Sequence, residues 1–436
     1  MTESLTAVSL FCSGGIGDIA LHAAGAQTIV ANEILSERAA LFETNFPAAT
    51  LIKGDIWKVR DQIVSTTTDR LNGRELDIVF ATPPCQGMSK NGRGKLLQGV
   101  RAGLKPELDV RNQLVLPMLD VVVALLPKVL VVENVPEMEQ TIVRSADGRY
   151  IGLLELIEET LAPLGYLGRS AVVEFADYGV PQRRQRLITL FSRVLNVQAA
   201  LLANRWLPEP SHARRPSLLE KPWITVEQTI GHLPALDAGK PETAVSDIPL
   251  HRVPLLDESK YFWVSNTPPG GGAFDNQCVN PECGYDGNPT HGNLRSKEGI
   301  NQASKTTPVR CGKCGTLLPR PWVVRGGEHR LMSGFTSAYK RMRGDLPASA
   351  LTRNLSYACS DQKLHPTQHR VLSLHEACLI HTIDQDHYVW RRSDGGRVSD
   401  KLIREVIGES IPPLGLEVIF SHILRVVQMD TMRAAA

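Results

Sequence analysis

The 436-residue chain has little charge imbalance: 48 Lys and Arg face 46 Asp and Glu, for a formal net charge of +2. That argues against a chain that is basic throughout, although an average hides local patches. It also lacks a long apolar run. The stretch from Leu114 to Val132 is broken by Asp120, Pro127 and Lys128, which excludes a membrane span there. The opening Met1-Thr2-Glu3-Ser4 carries no basic region, so no secretory leader is expected. No internal repeat or low-complexity tract occurs, which excludes solenoid and compositionally biased architectures. The apolar share of 42% and charged share of 22% are those of an ordinary globular protein. At roughly 150 residues per unit, the length predicts two to three compact units.

Cysteine is scarce too, with eight in all, and its placement is informative. Pro83-Pro84-Cys85-Gln86 follows the apolar strand Asp77 to Ala81. In doubly wound α/β folds, ligands bind at the carboxyl ends of the strands. A thiol there meets substrate, and its thiolate is a strong soft nucleophile. A lone cysteine after a strand is more often a small core residue. The partners that follow change that reading. Val131-Val132-Glu133-Asn134-Val135 ends a second apolar strand on a carboxylate and an amide. Gln182-Arg183-Arg184-Gln185-Arg186 then supplies guanidinium groups before a third strand, Leu187 to Phe191.

Pro84-Cys85-Gln86, Glu133-Asn134-Val135 and Gln182 to Arg186, in this order and at these separations, resemble the signatures of the DNA (cytosine-5) methyltransferases. The likeness extends to Leu10–Gly25 and to Arg370–Ile419 and leaves out about 170 central residues. It implies an enzyme of the doubly wound, mostly parallel S-adenosylmethionine-dependent methyltransferase fold. Carbon 5 of cytosine is a poor nucleophile, and thiolate addition at carbon 6 makes the ring electron-rich. By resemblance Cys85 is that nucleophile, and Glu133 hydrogen-bonds or protonates N3. Arg186 contacts the O2 carbonyl, while Arg184 holds the cysteine loop and a nearby phosphate. Carbon 6 is out of reach in a stacked duplex, so the cytosine must flip out. Taken singly, a strand-end carboxylate or an arginine cluster is more often a surface ion pair or a solvated patch.

The amino end reads as the cofactor site. A strand, Thr6 to Phe11, is followed by the turn Cys12-Ser13-Gly14-Gly15-Ile16-Gly17 and a helix from Asp18 to Ala24, stopped by Gly25. Strand, glycine turn and helix together form a nest of amides able to face a carboxylate or hydroxyls. Aligned on Phe11, the family's Phe-x-Gly-x-Gly-Gly finds Ser13 at its first glycine and Ile16 at its last, which predicts a shifted turn. Glu33, ending a second strand, is placed for ribose hydroxyls. By resemblance Asp55 accepts the adenine amine and Ile56 packs on the ring. Phe11, Ser13, Gly15, Pro84 and Ser410 complete the expected contacts. In Gly408-Glu409-Ser410-Ile411-Pro412-Pro413, Glu409 replaces a family asparagine and adds a charge beside the cofactor.

Strand–helix alternation runs to about Phe191, with a helix expected over Ile151–Leu164 capped by Gly165. From Ser192 the pattern breaks up among prolines and Gly270-Gly271-Gly272, and it returns near Arg370. Helices are expected over Ser373–Thr382, Ser399–Ile407 and Leu414–Val427. This predicts a catalytic and cofactor-binding domain over 1–195, an inserted target-recognition domain over 196–369, and a segment, 370–436, returning to the first domain. Within the insertion, Cys278-x4-Cys283 and Cys311-x2-Cys314 have the spacing of a structural zinc knuckle. His291 is a lesser ligand candidate, and Cys12, Cys359 and Cys378 read as core residues. Between Leu294 and Gly344, eleven Lys or Arg stand against two acids, which suits phosphate contact. After Cys85, Lys90, Arg93, Lys95, Arg101 and Lys105 interleave with glycines, as in a lid closing over DNA. The expected partner is double-stranded DNA, together with a cognate restriction endonuclease acting on the same site. A restriction-modification or phage setting follows from a chain without regulatory extensions. Free thiols and the absent leader point to the cytoplasm, in association with the nucleoid, and a monomer is expected. RNA cytosine methylation and a catalytically inactive DNA-binding module are the alternatives. A pure binder needs none of Cys85, Glu133 and Arg186.

Overall fold

Strand β1 (Leu5–Leu10) is buried along its whole length, as expected of a strand covered on both faces. It lies in the middle of a seven-stranded sheet, in a computed structural model that describes residues 4–84, 110–145, 147–291, 294–295, 301–302, 304, 306–332 and 337–434. The other strands are β2 (Ala26–Glu33), β3 (Thr50–Lys53), β4 (Ile78–Ala81), β5 (Val129–Asn134), β6 (Leu167–Glu174) and β7 (Gln185–Ser192). Their order is β3-β2-β1-β4-β5-β7-β6. β1 to β5 are parallel, whereas β7 runs antiparallel to both β5 and β6. The chain order reverses between β1 and β4, which makes their carboxyl ends the switch point of a doubly wound sheet. The register is specific there. Ala81 faces Val132 across β4 and β5, and Ile188 faces Glu133 across β7 and β5.

Two apolar layers cover the sheet. One face packs on α3 (Ile56–Leu71), α4 (Val115–Leu125) and α5 (Leu153–Leu161). The other packs on α1 (Ile16–Ala23), α6 (Leu195–Leu202) and α11 (Pro413–Ala434). The expected helix over 151–164 is shorter. Tyr150–Gly152 forms a strand, the α-helix runs from Leu153 to Leu161, and one 3-10 turn leads to Gly165 at φ 82°. No single helix among the described residues is long and apolar enough to cross a membrane.

The central stretch is joined to the rest of the fold in more than one place. Ala348–Ser349 pairs in parallel with Gln182–Arg183, just ahead of β7. A short helix, α7 (Val226–Ile230), packs with α9 (Leu374–Ile380), and both join α2 (Ser36–Asn45) and α10 (Asp400–Glu409) in a third apolar cluster. A smaller cluster around Trp263, Phe274, Tyr339 and Leu364 forms beside them, along α8 (Glu258–Ser265). Regular structure resumes after Arg370 for a concrete reason. Ser373 and Glu376 form a capping box for α9, and the fully buried Glu376 takes two hydrogen bonds of 2.7 Å from Arg370.

Candidate active site

The carboxyl ends of β1, β2, β4 and β5 open onto a cavity of about 700 Å³, within the usual size of a ligand pocket. Its walls bring together Phe11 and Ser13 after β1, Glu33 from β2, Asp55 and Ile56 after β3, Pro84 after β4, Glu133 from β5, Arg186 from β7 and Ser410 after α10. Gly15 lies in the same turn, directly ahead of α1. Cys85 and the glycine- and lysine-rich stretch after it lie outside the described residues.

The turn after β1 takes an unusual path. Phe11, Ser13 and Gly15 all have positive φ, at 61°, 51° and 81°. Such alternation turns successive amides to one side, where an anionic group can be received. The serine at the family's first glycine therefore pays a left-handed conformation. A side chain at Gly15 would meet Phe46 at 2.3 Å, so only glycine fits there. The Tyr388 hydroxyl donates to the Gly14 carbonyl at 2.6 Å and holds the turn from behind. The carboxylate of Glu33 accepts from the amides of Ser13 and Leu35, both at 2.8 Å. Asp55 caps α3 by accepting from the Trp57 amide at 3.1 Å, and the Ile56 side chain is buried at the cavity edge.

At the opposite wall, Arg186 Nε lies 2.9 Å from Glu133 Oε1, with side chains 14% and 9% exposed. Burial pushes the Glu133 carboxyl above its ordinary value, against the pull of Arg186 and Arg184. A carboxyl held this way is suited to carry a proton. Next to it, the Asn134 side chain donates to the Pro83 carbonyl at 3.0 Å and accepts from the Val135 amide. The loop that leads into Cys85 is thereby anchored beside Glu133. Nothing in the local sequence marks this role of Asn134.

Arg184 reaches across the chain. Its buried guanidinium donates to the carbonyls of Leu351, Gly408 and Ser410 at 2.8, 2.9 and 2.5 Å. These bonds tie both the central stretch and the carboxyl-terminal segment to the start of β7. Ser410 is also gripped by His381, buried and held neutral by desolvation. The Gln182 amide nitrogen faces His381 Nδ1 at 3.1 Å, which leaves Nε2 as the donor to the Ser410 hydroxyl at 3.0 Å. The charge on Glu409 is matched by Arg38, 2.7 Å away. Arg38, Arg111, Thr352 and Arg353 also line the cavity and were not anticipated; none belongs to a recognisable motif.

Residues 5–425 match the family described as C-5 cytosine-specific DNA methylase. The chain belongs to that family. It is an S-adenosylmethionine-dependent DNA methyltransferase acting at carbon 5 of cytosine. The type II methyltransferase M1.HgaI of Avibacterium volantium is 28% identical over 437 residues, spanning 97% of this chain and 99% of that protein. M.AquIA of Picosynechococcus is 34% identical over 242 residues, 52% of this chain and 88% of that one. Among solved structures, the S. pombe Dnmt2 methyltransferase superposes with a TM-score of 0.53 at 12% identity, covering 97% of this chain and 99% of that one. The Entamoeba histolytica methyltransferase EhMeth gives 0.52 at 13%, covering 98% and 99%. At such identities the superpositions speak for the fold alone.

Away from its cavity, the methylase gathers Cys278, Cys283, Cys311 and Cys314, with sulfur atoms all within 4.8 Å of one another. Two separations are 3.6 and 3.9 Å. Tetrahedral zinc with bonds of about 2.3 Å sets neighbouring sulfurs roughly 3.8 Å apart, so the donor set fits. His291 is elsewhere, bonded to Thr307 and stacked on Phe274. Cys12 and Cys378 are buried as expected, whereas Cys359 is exposed. The basic stretch shrinks on inspection. Arg320 and Arg341 are fully buried and donate to backbone carbonyls of their own domain, those of Asn276 and Thr267 among them. Arg330 and Arg343 pair with Glu328 and Asp345. Lys297 and Lys305 lie outside the described residues.

Proposed function

We propose that this methylase works through Cys85, with Glu133 and Arg186 holding the target cytosine. The observation that carries the reading is the buried Glu133–Arg186 pair, set beside the Asn134-to-Pro83 bond two residues before Cys85. Bound S-adenosylmethionine supplies an electrophilic methyl group. The Cys85 thiolate forms a bond to carbon 6 of a flipped-out cytosine. Glu133, its carboxyl raised by burial, donates to N3 as charge develops there, and Arg186 faces O2. Carbon 5 then takes the methyl group as that group's bond to the donor's sulfonium sulfur breaks and leaves a thioether, and N3 returns its proton to Glu133. Removal of the carbon 5 proton drives the electron pair into the ring, expels the Cys85 sulfur and restores the double bond.

Glu33, Asp55, Ile56 and the turn Phe11–Gly15 are assigned to the methyl donor, with Pro84 and Ser410 at its edge. Their acceptors and amides fit a nucleoside with an amino-acid tail, and the cavity volume accommodates it. The division into 1–195, 196–369 and 370–436 is retained as a functional one, with the central part reading the DNA sequence. We assign one structural zinc to the four cysteines. Relatives named type II methyltransferases support a restriction-modification setting; a cognate endonuclease sharing the site, and a monomer acting in the cytoplasm, complete the proposal.

The test is Cys85→Ala. Tritium transfer from labelled S-adenosylmethionine to duplex DNA should vanish while DNA and cofactor binding persist. With DNA carrying 5-fluorocytosine, the unaltered protein should form a stable covalent adduct, because fluorine cannot leave as a proton does. Turnover in the alanine variant would overturn the mechanism, and label entering RNA in preference to DNA would overturn the substrate.

A further inference from the structure

Glu409 and Arg38 line the cavity side by side but come from different elements, the first ending α10 and the second in the first turn of α2. Arg38 Nη2 lies 2.7 Å from Glu409 Oε2, and the side chains are 13% and 33% exposed. Arg38 Nη1 also donates to the Ser13 hydroxyl at 3.4 Å, while the Ser13 amide donates to Glu33 at 2.8 Å. A continuous polar chain therefore runs Glu33, Ser13, Arg38, Glu409 along one side of the pocket. A guanidinium carries five donors, and the two bonds described use two of them. Opposite charges facing a cavity from neighbouring positions complement a ligand that carries both signs itself.

We infer that the Arg38–Glu409 pair recognises the amino-acid end of S-adenosylmethionine, Arg38 taking its carboxylate and Glu409 its ammonium group. At neutral pH that end holds one charge of each sign. A carboxylate at position 409 without a counter-charge would repel the ligand's own carboxylate. Arg38 lies between the two anions and removes the conflict. Sharing one guanidinium between two carboxylates is favourable in a partly enclosed site, where charge-assisted bonds are strong. The inference rests on the reading that this cavity holds the methyl donor.

The experiment measures binding to the full-length protein by calorimetry with three probes. S-adenosylhomocysteine carries both charged groups, decarboxylated S-adenosylmethionine has only the amine, and 5′-methylthioadenosine has neither. In Arg38→Met, affinity for S-adenosylhomocysteine should fall roughly 10- to 100-fold, the range of one charged hydrogen bond. Binding of the two probes without a carboxylate should change by less than about threefold, which also shows that the variant is folded. Glu409→Gln should weaken both amine-bearing probes and spare 5′-methylthioadenosine. If Arg38→Met keeps full affinity for S-adenosylhomocysteine, or loses all three probes alike, the inference falls. If the unaltered protein binds none of the three, the cofactor assignment of the cavity falls instead.

Discussion

Glu133 sits where two opposing influences meet. Burial favours its neutral form, while Arg186 at 2.9 Å favours the anion. The net effect is a carboxyl raised above its ordinary value yet still oriented by a cation. Glu133→Gln keeps the shape and a hydrogen-bond donor but cannot pass a proton to N3. Single-turnover methylation should therefore slow by about 10²–10⁴-fold, with DNA affinity within a few-fold of normal. A loss under tenfold would mean that another group activates the ring. Both residues were legible in the sequence because Glu133 stands near the end of β5 and Arg186 near the start of β7, and antiparallel pairing of the two strands brings those ends together. The carbonyl acceptors of Arg184 were not, because Leu351, Gly408 and Ser410 are separated from it by more than 160 residues. Nothing in a local motif announces such partners. The same applies to Arg38, whose partner Glu409 stood out only as a departure from a pattern.

Among the elements, β1, α1 and β2 are joined by one buried carboxylate. Asp18, at the start of α1, accepts from Ser9 of β1 at 3.0 Å and from Thr28 of β2 at 2.7 Å. Burial raises it from 3.8 to about 7, and the two hydroxyls hold the rise in check. The folded protein then binds a proton that the unfolded chain has lost between those values. Stability must fall as pH rises through that window. The cost approaches roughly 4 kcal/mol once the group is ionised in the folded state. Asp18→Asn removes the titration and keeps the shape. Urea unfolding from pH 4 to 8 should show the unaltered protein losing stability relative to the variant, most steeply below pH 7. Parallel curves would mean that Asp18 does not titrate in this range. The strand and helix of this unit were readable from apolar alternation and the glycine turn, with ends displaced by one or two residues. The turn's true path was not, because positive φ at Phe11 and Ser13 is imposed by the surrounding packing and not by residue type.

On the scale of the whole molecule, the question is how far the cysteine cluster governs the rest. The break in pattern after Ser192 shows in prolines and glycines, but the attachment of the central stretch does not. Backbone pairing of Ala348 with Gln182 leaves no trace in periodicity. Around the four cysteines the order is loop-like, and much of it hangs on Arg320. That side chain donates to the carbonyls of Asn276, Pro289 and Pro308 at 2.7, 2.8 and 2.9 Å, gathering the chain on both sides of the cluster. Loops of this kind bury little apolar surface, so a metal tie carries much of their order. The neighbouring cluster of Trp263, Phe274, Tyr339 and Leu364 has an apolar core of its own, and the sheet lies beyond it. Purified, fully reduced protein should therefore contain about one equivalent of zinc. After chelation, or in Cys311→Ser, amide exchange should accelerate between about residues 276 and 320 and remain slow in β1, β4 and β5. S-adenosylhomocysteine should still bind, because among the described residues none of the cavity wall belongs to the released segment. Sequence-specific DNA binding should weaken sharply. Absence of zinc would remove the site, whereas exchange spreading into the sheet would show that the metal supports the whole fold and not its DNA-reading part alone.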